Sequence, residues 1–335
     1  MKILVTGGGG FLGGAICRQL LARGDEVIAY QRSAADELGK LGVQVIQGDI
    51  TDYAALEAAA KDADAIIHTA AKAGLSVRYE DFFAPNVTGT QNVLETCRSK
   101  GIRKLVFTSS PSVTHADGDI EGGNESLPYP KTYNSPYPQT KARSEQMVMA
   151  ANCPELHTVS LRPHLIWGPG DNHLLPKLLE RARHGKLKLP GPGKLIDSTY
   201  IDNAARAHLL ALDKLASDPE VVGGKTYFIS NDEPMAQGQI IGSLLKAAGV
   251  EADIQAVSPR LAYAAGALLE TGWKLLGLKS DAPLTRWSAE HLSTAHWYDI
   301  SAAKRDLAYT VEVSIAEGLE ILAQQYHQKT STKNP

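Results

Sequence analysis

The chain has 335 residues, which at roughly 150 residues per domain excludes a single small module. Its 34 basic residues against 37 acidic give a net charge of -3 with no basic stripe, so nucleic acid is not an expected partner. Hydrophobic residues at 43% and charged residues at 21% exclude a disordered chain and provide for a large core.

The apolar run at 3–5 is too short for a signal-peptide core, and Cys17, Cys97 and Cys153 are scattered and odd in number. Both features point to a reducing, cytoplasmic setting. Along the first half, strand-like runs at 3–6, 27–31, 43–47, 65–69, 104–109 and 158–162 alternate with helical patterns at 12–23, 52–61, 86–100 and 137–151. Apolar strands that alternate with helices require a parallel sheet covered on both faces, which predicts a Rossmann-type doubly wound α/β domain. After Arg162 the pattern loosens around a series of prolines and glycines, then a strand and helix return at 198–215 and another strand at 225–230. We therefore expect a cofactor-binding domain over 1–165 with return segments at about 197–230. An interleaved smaller substrate lobe is expected over 166–196 and 231–326, with a disordered tail at 327–335. Residues 261–278 are apolar but interrupted by Glu270 and Lys274, too short to span a bilayer. They read as a core helix of the small lobe, or as an amphipathic helix roofing an alkyl-chain site or resting on a membrane or partner.

The first chemical motif lies between the first strand and the first helix. Gly7, Gly10 and Gly13 stand three apart in TGGGGFLG, the context in which a helix N-terminus receives a dinucleotide pyrophosphate. At the end of the second strand, where a carboxylate would bind the ribose 2′-hydroxyl of NAD, the chain has Gln31, Arg32 and Ser33. Without a carboxylate to repel a 2′-phosphate, and with a guanidinium to bind one, NADP is the expected cofactor. The alternative for Arg32 is a solvated loop residue. Asp49 and Ile50 follow the third strand and are placed to bracket the adenine, although Asp49 is equally placed to cap the next helix.

The second motif is Tyr137 and Lys141, one helical turn apart on one face. A nearby ammonium favours the phenolate and brings Tyr137 toward proton exchange at neutral pH. Thr108, Ser109 and Ser110 end a strand, where ligands bind in parallel sheets. Ser110 can hold a carbonyl oxygen while Tyr137 gives it a proton, or can serve only as a turn residue before Pro111. No His, Cys or Asp spacing suggests a metal.

TGGGGFLG, HTAA at 68–71, NVTGT at 86–90, TSS at 108–110, YPQTK at 137–141 and RPHLIWGPGD at 162–171 resemble, in order and spacing, an extended short-chain dehydrogenase/reductase. The resemblance covers nearly the whole chain. It implies a catalytic set of Asn86, Ser110, Tyr137 and Lys141, in which Asn86 supports the lysine, Ser112 assists the serine, and Lys141 also binds the nicotinamide ribose. Asn86 can equally be read as a helix N-cap. It further implies cofactor contacts from Phe11, Leu12, Ala70, Ala71 and Pro163, and a homodimer through the helices at Asn86 and Tyr137. A basic cluster for a second pyrophosphate, as sugar-nucleotide epimerases need, is not evident after Arg162. The segments at 167–193 and 197–208 resemble instead the 3β-hydroxysteroid and sterol-carboxylate dehydrogenase branch. SSPSVTHADG from Ser109 and HWYDISAAKRDLAY from His296 resemble bacterial 2-alkyl-3-oxoalkanoate reductases of long-chain olefin biosynthesis. The implied reaction is NADPH-dependent reduction of a 3-ketone in an apolar β-keto acid. Oxidation of a 3β-hydroxysteroid, and a cofactor-sensing regulator without turnover, are the alternatives.

Overall fold

Ile3, Leu4 and Val5 are all fully buried, so strand β1 (Lys2–Thr6) must be covered on both faces. Ile3 and Val5 enter one core cluster and Leu4 the other, as the two-residue period of a strand demands. The structure, a computed structural model, describes residues 1–115, 118–183, 186–278 and 280–331. Around β1 it assembles β2 (Glu26–Gln31), β3 (Gln44–Gln47), β4 (Ala65–His68), β5 (Lys104–Thr108), β6 (His157–Pro163) and β7 (Lys225–Ile229). The strand order is β7-β6-β5-β4-β1-β2-β3, and every neighbouring pair is parallel. This is the Rossmann-type, doubly wound sheet expected above. The order reverses between β1 and β4, which opens a crevice at their carboxyl ends.

Helix α1 (Phe11–Ala22) starts at the glycine loop and ends before Gly24, whose φ of +88° only glycine adopts readily. Helix α2 (Gly89–Lys100) closes on the left-handed Gly101, with Arg98 and Lys100 in its last turn. Residues Phe83–Thr88, just before it, wind as a π-helix. Pro85 in this turn has no N–H to give, so the regular helical ladder is broken there. Asn86 therefore lies inside helical backbone and is not an N-cap. Helix α3 (Pro136–Ala150) carries proline at its first position. Helix α4 (Ile201–Ser217) buries a long apolar face against the sheet.

A smaller sheet joins Met235–Ala236, Leu195–Ile196, His296–Tyr298 and Ile120–Gly123, in that order. Ile120–Gly123, expected within the cofactor part of the chain, instead pairs in parallel with His296–Tyr298. Helix α5 (Pro259–Leu275) packs its small residues on α6 (Arg286–His291): a Cβ on Gly266 would meet the Thr285 carbonyl carbon at 2.7 Å. Glu270 on the same face pairs with Arg286 at 2.5 Å. Its opposite face leaves Leu261, Leu268 and Leu275 exposed. Among the described residues no helix is long and apolar enough to cross a membrane. Helix α7 (Ile315–Ser331) continues past residue 327, where disorder was expected; residues 332–335 lie outside the described residues.

Candidate active site

At the end of β1 the chain turns sharply. Gly7 has φ +72°, and a Cβ there would sit 2.9 Å from the Ala70 backbone nitrogen, at the end of β4. A Cβ on Gly8 would lie 2.6 Å from that of Ala29, and one on Gly13 only 2.2 Å from the Gly7 carbonyl oxygen. The loop is thus pressed onto the sheet from behind. Gly10, by contrast, meets only the Gly7 oxygen at 3.1 Å and faces outward, toward Phe11 and Leu12 in the first turn of α1. Gly10 offers no side-chain cap, so the first N–H groups of α1 remain available to an anion.

Gln31 closes this cradle from β2. Its Oε1 accepts from the Gly9 N–H at 3.1 Å, while its Nε2 is buried without a partner and can donate to a ligand. Arg32 and Ser33 are exposed beyond it. Asp49 accepts from the Thr51 N–H and hydroxyl at 2.9 and 2.8 Å. The Thr51 N–H bond keeps the Asp49 carboxyl below its usual range, with Arg32 adding to the effect. The next helix is capped by Asp52, which accepts from Ala55, and not by Asp49. Ile50 is buried against Gly89, Ala70 is half-buried, Ala71 is exposed, and Pro163 is buried at the end of β6.

Tyr137, Lys141 and Glu145 follow one another at intervals of four on α3. The Lys141 ammonium donates to the Thr108 carbonyl at 2.7 Å and lies 4.2 Å above the Phe107 ring. Burial pulls its pKa from 10.5 down to about 7, against the opposing pull of Glu145. The Tyr137 phenol is raised by burial, an effect reduced by the neighbouring Ser110 hydroxyl. This is opposite to the lowering expected from a nearby ammonium, because burial disfavours the charged phenolate. Tyr137 is therefore protonated at neutral pH.

The strand-end hydroxyls are divided among different tasks. Thr108 Oγ donates to His208 Nε2 at 2.8 Å, since His208 Nδ1 donates to the Ala204 carbonyl at 2.7 Å. Ser109 is buried. Ser110 bears on the Tyr137 phenol, and its hydroxyl lies 2.9 Å from that of Ser112.

Asn86 is 1% exposed and clamps two segments. Its amide nitrogen donates to the Lys72 carbonyl and the Thr140 hydroxyl, both at 3.1 Å, and its Oδ1 accepts from the Lys72 N–H at 2.7 Å. Its carbonyl accepts the hydroxyls of Thr90 and Ser144, both at 2.6 Å. It does not touch Lys141 directly. Because Thr90 donates to Asn86, it must accept from His68 Nε2 at 3.0 Å, and His68 Nδ1 then accepts from Thr6 Oγ at 2.6 Å. A directed chain of hydrogen bonds thus links the glycine-loop strand to the π-turn.

Several contributors were not read from the sequence. Glu145 and Arg162 form an ion pair at 2.6 Å with side chains 0% and 3% exposed, joined by Ser160 and Tyr129. The Glu145 interval of four from Lys141 was the available signal. Phe82 and Trp287 flank Tyr137 with ring centres at 6.2 and 6.4 Å. A cleft of about 160 Å³ runs past Tyr133, Pro138, Trp287 and Glu290. Behind Trp287, His164, His291 and His296 converge, although their positions in the chain gave no metal-ligand spacing. His173 is exposed and stands apart from them.

Comparison with known proteins places the chain in a family. A family described as the 3-beta hydroxysteroid dehydrogenase/isomerase family matches residues 4–260. A 2-alkyl-3-oxoalkanoate reductase of Stenotrophomonas maltophilia is 50% identical, covering 96% of this chain and 98% of the relative. One from Shewanella oneidensis is 45% identical over 95% and 84%. A decarboxylating sterol-4-alpha-carboxylate 3-dehydrogenase of Mus musculus is 33% identical over 99% and 92%. Among solved structures, UDP-glucose 4-epimerase of Thermus thermophilus, in complex with NAD, superposes with a TM-score of 0.74 at 25% identity, covering 98% and 99% of the two chains. The chain belongs to the 3-beta hydroxysteroid dehydrogenase/isomerase family of oxidoreductases.

Proposed function

We propose that this chain reduces the 3-ketone of a 2-alkyl-3-oxoalkanoate to the 3-hydroxy acid with NADPH, as a step in long-chain olefin formation. The observation that carries the reading is the pairing of Tyr137 with the buried Lys141 one turn on along α3, the lysine anchored on the Thr108 carbonyl at the carboxyl end of the parallel sheet. The relatives at 50% and 45% identity, named for this activity, support the substrate class.

The residues present fit a dinucleotide. The glycine cradle admits no Cβ at Gly7, Gly8 or Gly13, the first turn of α1 is uncapped, and Gln31 Nε2 is a buried donor without a partner. Gly7, Gly10, Phe11, Leu12 and Gly13 would hold the pyrophosphate. Gln31, Arg32 and Ser33 would hold the ribose and its 2′-phosphate, Asp49 and Ile50 the adenine, and Ala70, Ala71, Pro163, Tyr137 and Lys141 the nicotinamide half. When bound, that cofactor supplies a hydride.

Ser110 and Tyr137 place two hydroxyl donors on one carbonyl oxygen, where negative charge develops as the ketone is reduced. Tyr137 then gives its phenolic proton to that oxygen, a transfer worth roughly 10²–10⁴-fold in rate. Lys141, anchored on the Thr108 carbonyl, meets the resulting phenolate with its ammonium. Asn86 acts through position: it ties the π-turn to Thr140, the residue before Lys141. Residues 166–196 and 231–326 would form most of the substrate lobe, with Phe82 and Trp287 providing apolar walls. The same reading includes a homodimer through the outer faces of α2 and α3.

NADPH oxidation followed with 2-alkyl-3-oxo acids of varied chain length tests the proposal. Turnover is expected with NADPH, and Tyr137→Phe should bind the cofactor without oxidising it. Full turnover by that variant, or activity confined to 3β-hydroxysteroid oxidation with NAD, overturns the assignment.

A further inference from the structure

The histidines behind Trp287 have no part in the proposed reaction, yet their hydrogen bonds cannot all be made by neutral rings. His164 Nδ1 lies 2.6 Å from the Asp197 carbonyl oxygen, and His296 Nε2 lies 3.0 Å from that of His291. A carbonyl only accepts, so both outer nitrogens carry hydrogen. Each neutral imidazole has one N–H, and these two contacts use both. The inner nitrogens, His164 Nε2 and His296 Nδ1, then face each other at 2.9 Å with lone pairs opposed. Something positive must lie between them.

One candidate is a proton, which would make the pair a shared imidazolium. Burial opposes it, driving His296 down to about 4 and His164 well below the ordinary histidine value, with repulsion from His296 adding to the effect on His164 and from His115 to that on both. The other is a metal ion. Ligating histidines typically donate their outer N–H to a carbonyl and direct the other nitrogen at the metal, which is the orientation imposed here by Asp197 and His291. A third nitrogen is at hand. His291 Nδ1 is buried without a hydrogen-bond partner, and the three ligand atoms lie within 4.8 Å of one another.

We propose that His164, His291 and His296 form a binding site for one divalent ion of the zinc class, which prefers imidazole nitrogen. The ion would join the end of β6, the end of α6 and the strand His296–Tyr298. Nitrogens about 2.0–2.1 Å from a tetrahedral ion stand about 3.3 Å apart, so the His164–His296 gap must open by about 0.4 Å. His291 is stacked on His296 at 4.0 Å and 6°, and its ring must turn to aim Nδ1 at the ion. Trp287, stacked on His291 at 5.2 Å and 11°, loses that contact in the turn. Trp287 thereby becomes a reporter for the site.

Zinc chloride is titrated into the full chain after chelator treatment, with heat of binding, Tm and tryptophan fluorescence as readouts. One zinc per chain, a saturable rise in Tm and a fluorescence change lost in Trp287→Phe are expected. His291→Ala, at a half-buried helix end, should weaken binding at least about 100-fold, as should His164→Asn if it folds; loss of an outer partner alone costs about 10–100-fold. Exposed His173→Asn should bind like the wild type. Absence of saturable binding overturns the proposal, as does stoichiometric binding unchanged in His291→Ala, which would place the zinc elsewhere.

Discussion

Lys141 should weaken the fold increasingly as pH falls from 10.5 to about 7, and its replacement by methionine should show by how much. Burial lowers its pKa from 10.5 in the ordinary side chain to about 7 in the folded chain. Between those values the unfolded chain binds a proton that the folded chain does not, so stability rises with pH across this window. Below the folded value the penalty is complete, about 5 kcal/mol at about 1.36 kcal/mol for each pH unit; above the unfolded value it is gone. Methionine keeps an apolar stem against Phe107 but cannot donate to the Thr108 carbonyl, a buried acceptor whose loss of a partner costs about 1–3 kcal/mol. Lys141→Met should therefore be more stable than the wild type by about 2–4 kcal/mol near pH 6, and less stable by about 1–3 kcal/mol above the unfolded lysine value. The two effects balance near about pH 9. Urea unfolding of both cofactor-free proteins across this range measures the difference, in which other titrating groups cancel. A gap that stays constant with pH would refute the argument, because the ammonium would then carry no burial penalty.

Glu145→Gln should destabilise the chain by about 3–5 kcal/mol, since it leaves the nearly inaccessible Arg162 guanidinium without its counter-charge; an unchanged urea midpoint contradicts this. Gly13→Ala should abolish cofactor binding in a fluorescence titration, because its Cβ would stand 2.2 Å from the Gly7 oxygen and force the loop outward. NADPH bound with wild-type affinity would show that the loop is not the phosphate cradle. Arg32→Ala should lower the preference for NADPH over NADH by about 10–100-fold, the value of a charge-assisted hydrogen bond of about 1.5–3 kcal/mol. An unchanged ratio of dissociation constants removes Arg32 from 2′-phosphate recognition.

The sheet was legible because its signals are local. A run such as Ile3–Val5 declares two buried faces by composition, and the spacing of Gly7, Gly10 and Gly13 between strand and helix marks a loop pressed onto β1. The interval between Tyr137 and Lys141 places them on one helix face wherever that helix lies. What these signals omit is the environment each group meets. The lowering of Tyr137 by its ammonium neighbour followed from the interval alone, whereas burial, which reverses the direction, comes from the elements packed around it. Asn86 reads as a cap until Pro85 and the π-turn place it inside the helix.

By itself the sequence determined the parallel sheet, the glycine loop and the Tyr137–Lys141 pair, because period and short spacing fix which residues share a turn or a face. Tertiary structure alone decided the partners: Glu145 with Arg162, Ile120–Gly123 with His296–Tyr298, and His164 with His291 and His296. Such partners lie on different elements, and only the packing of those elements into one body brings their few polar atoms within reach.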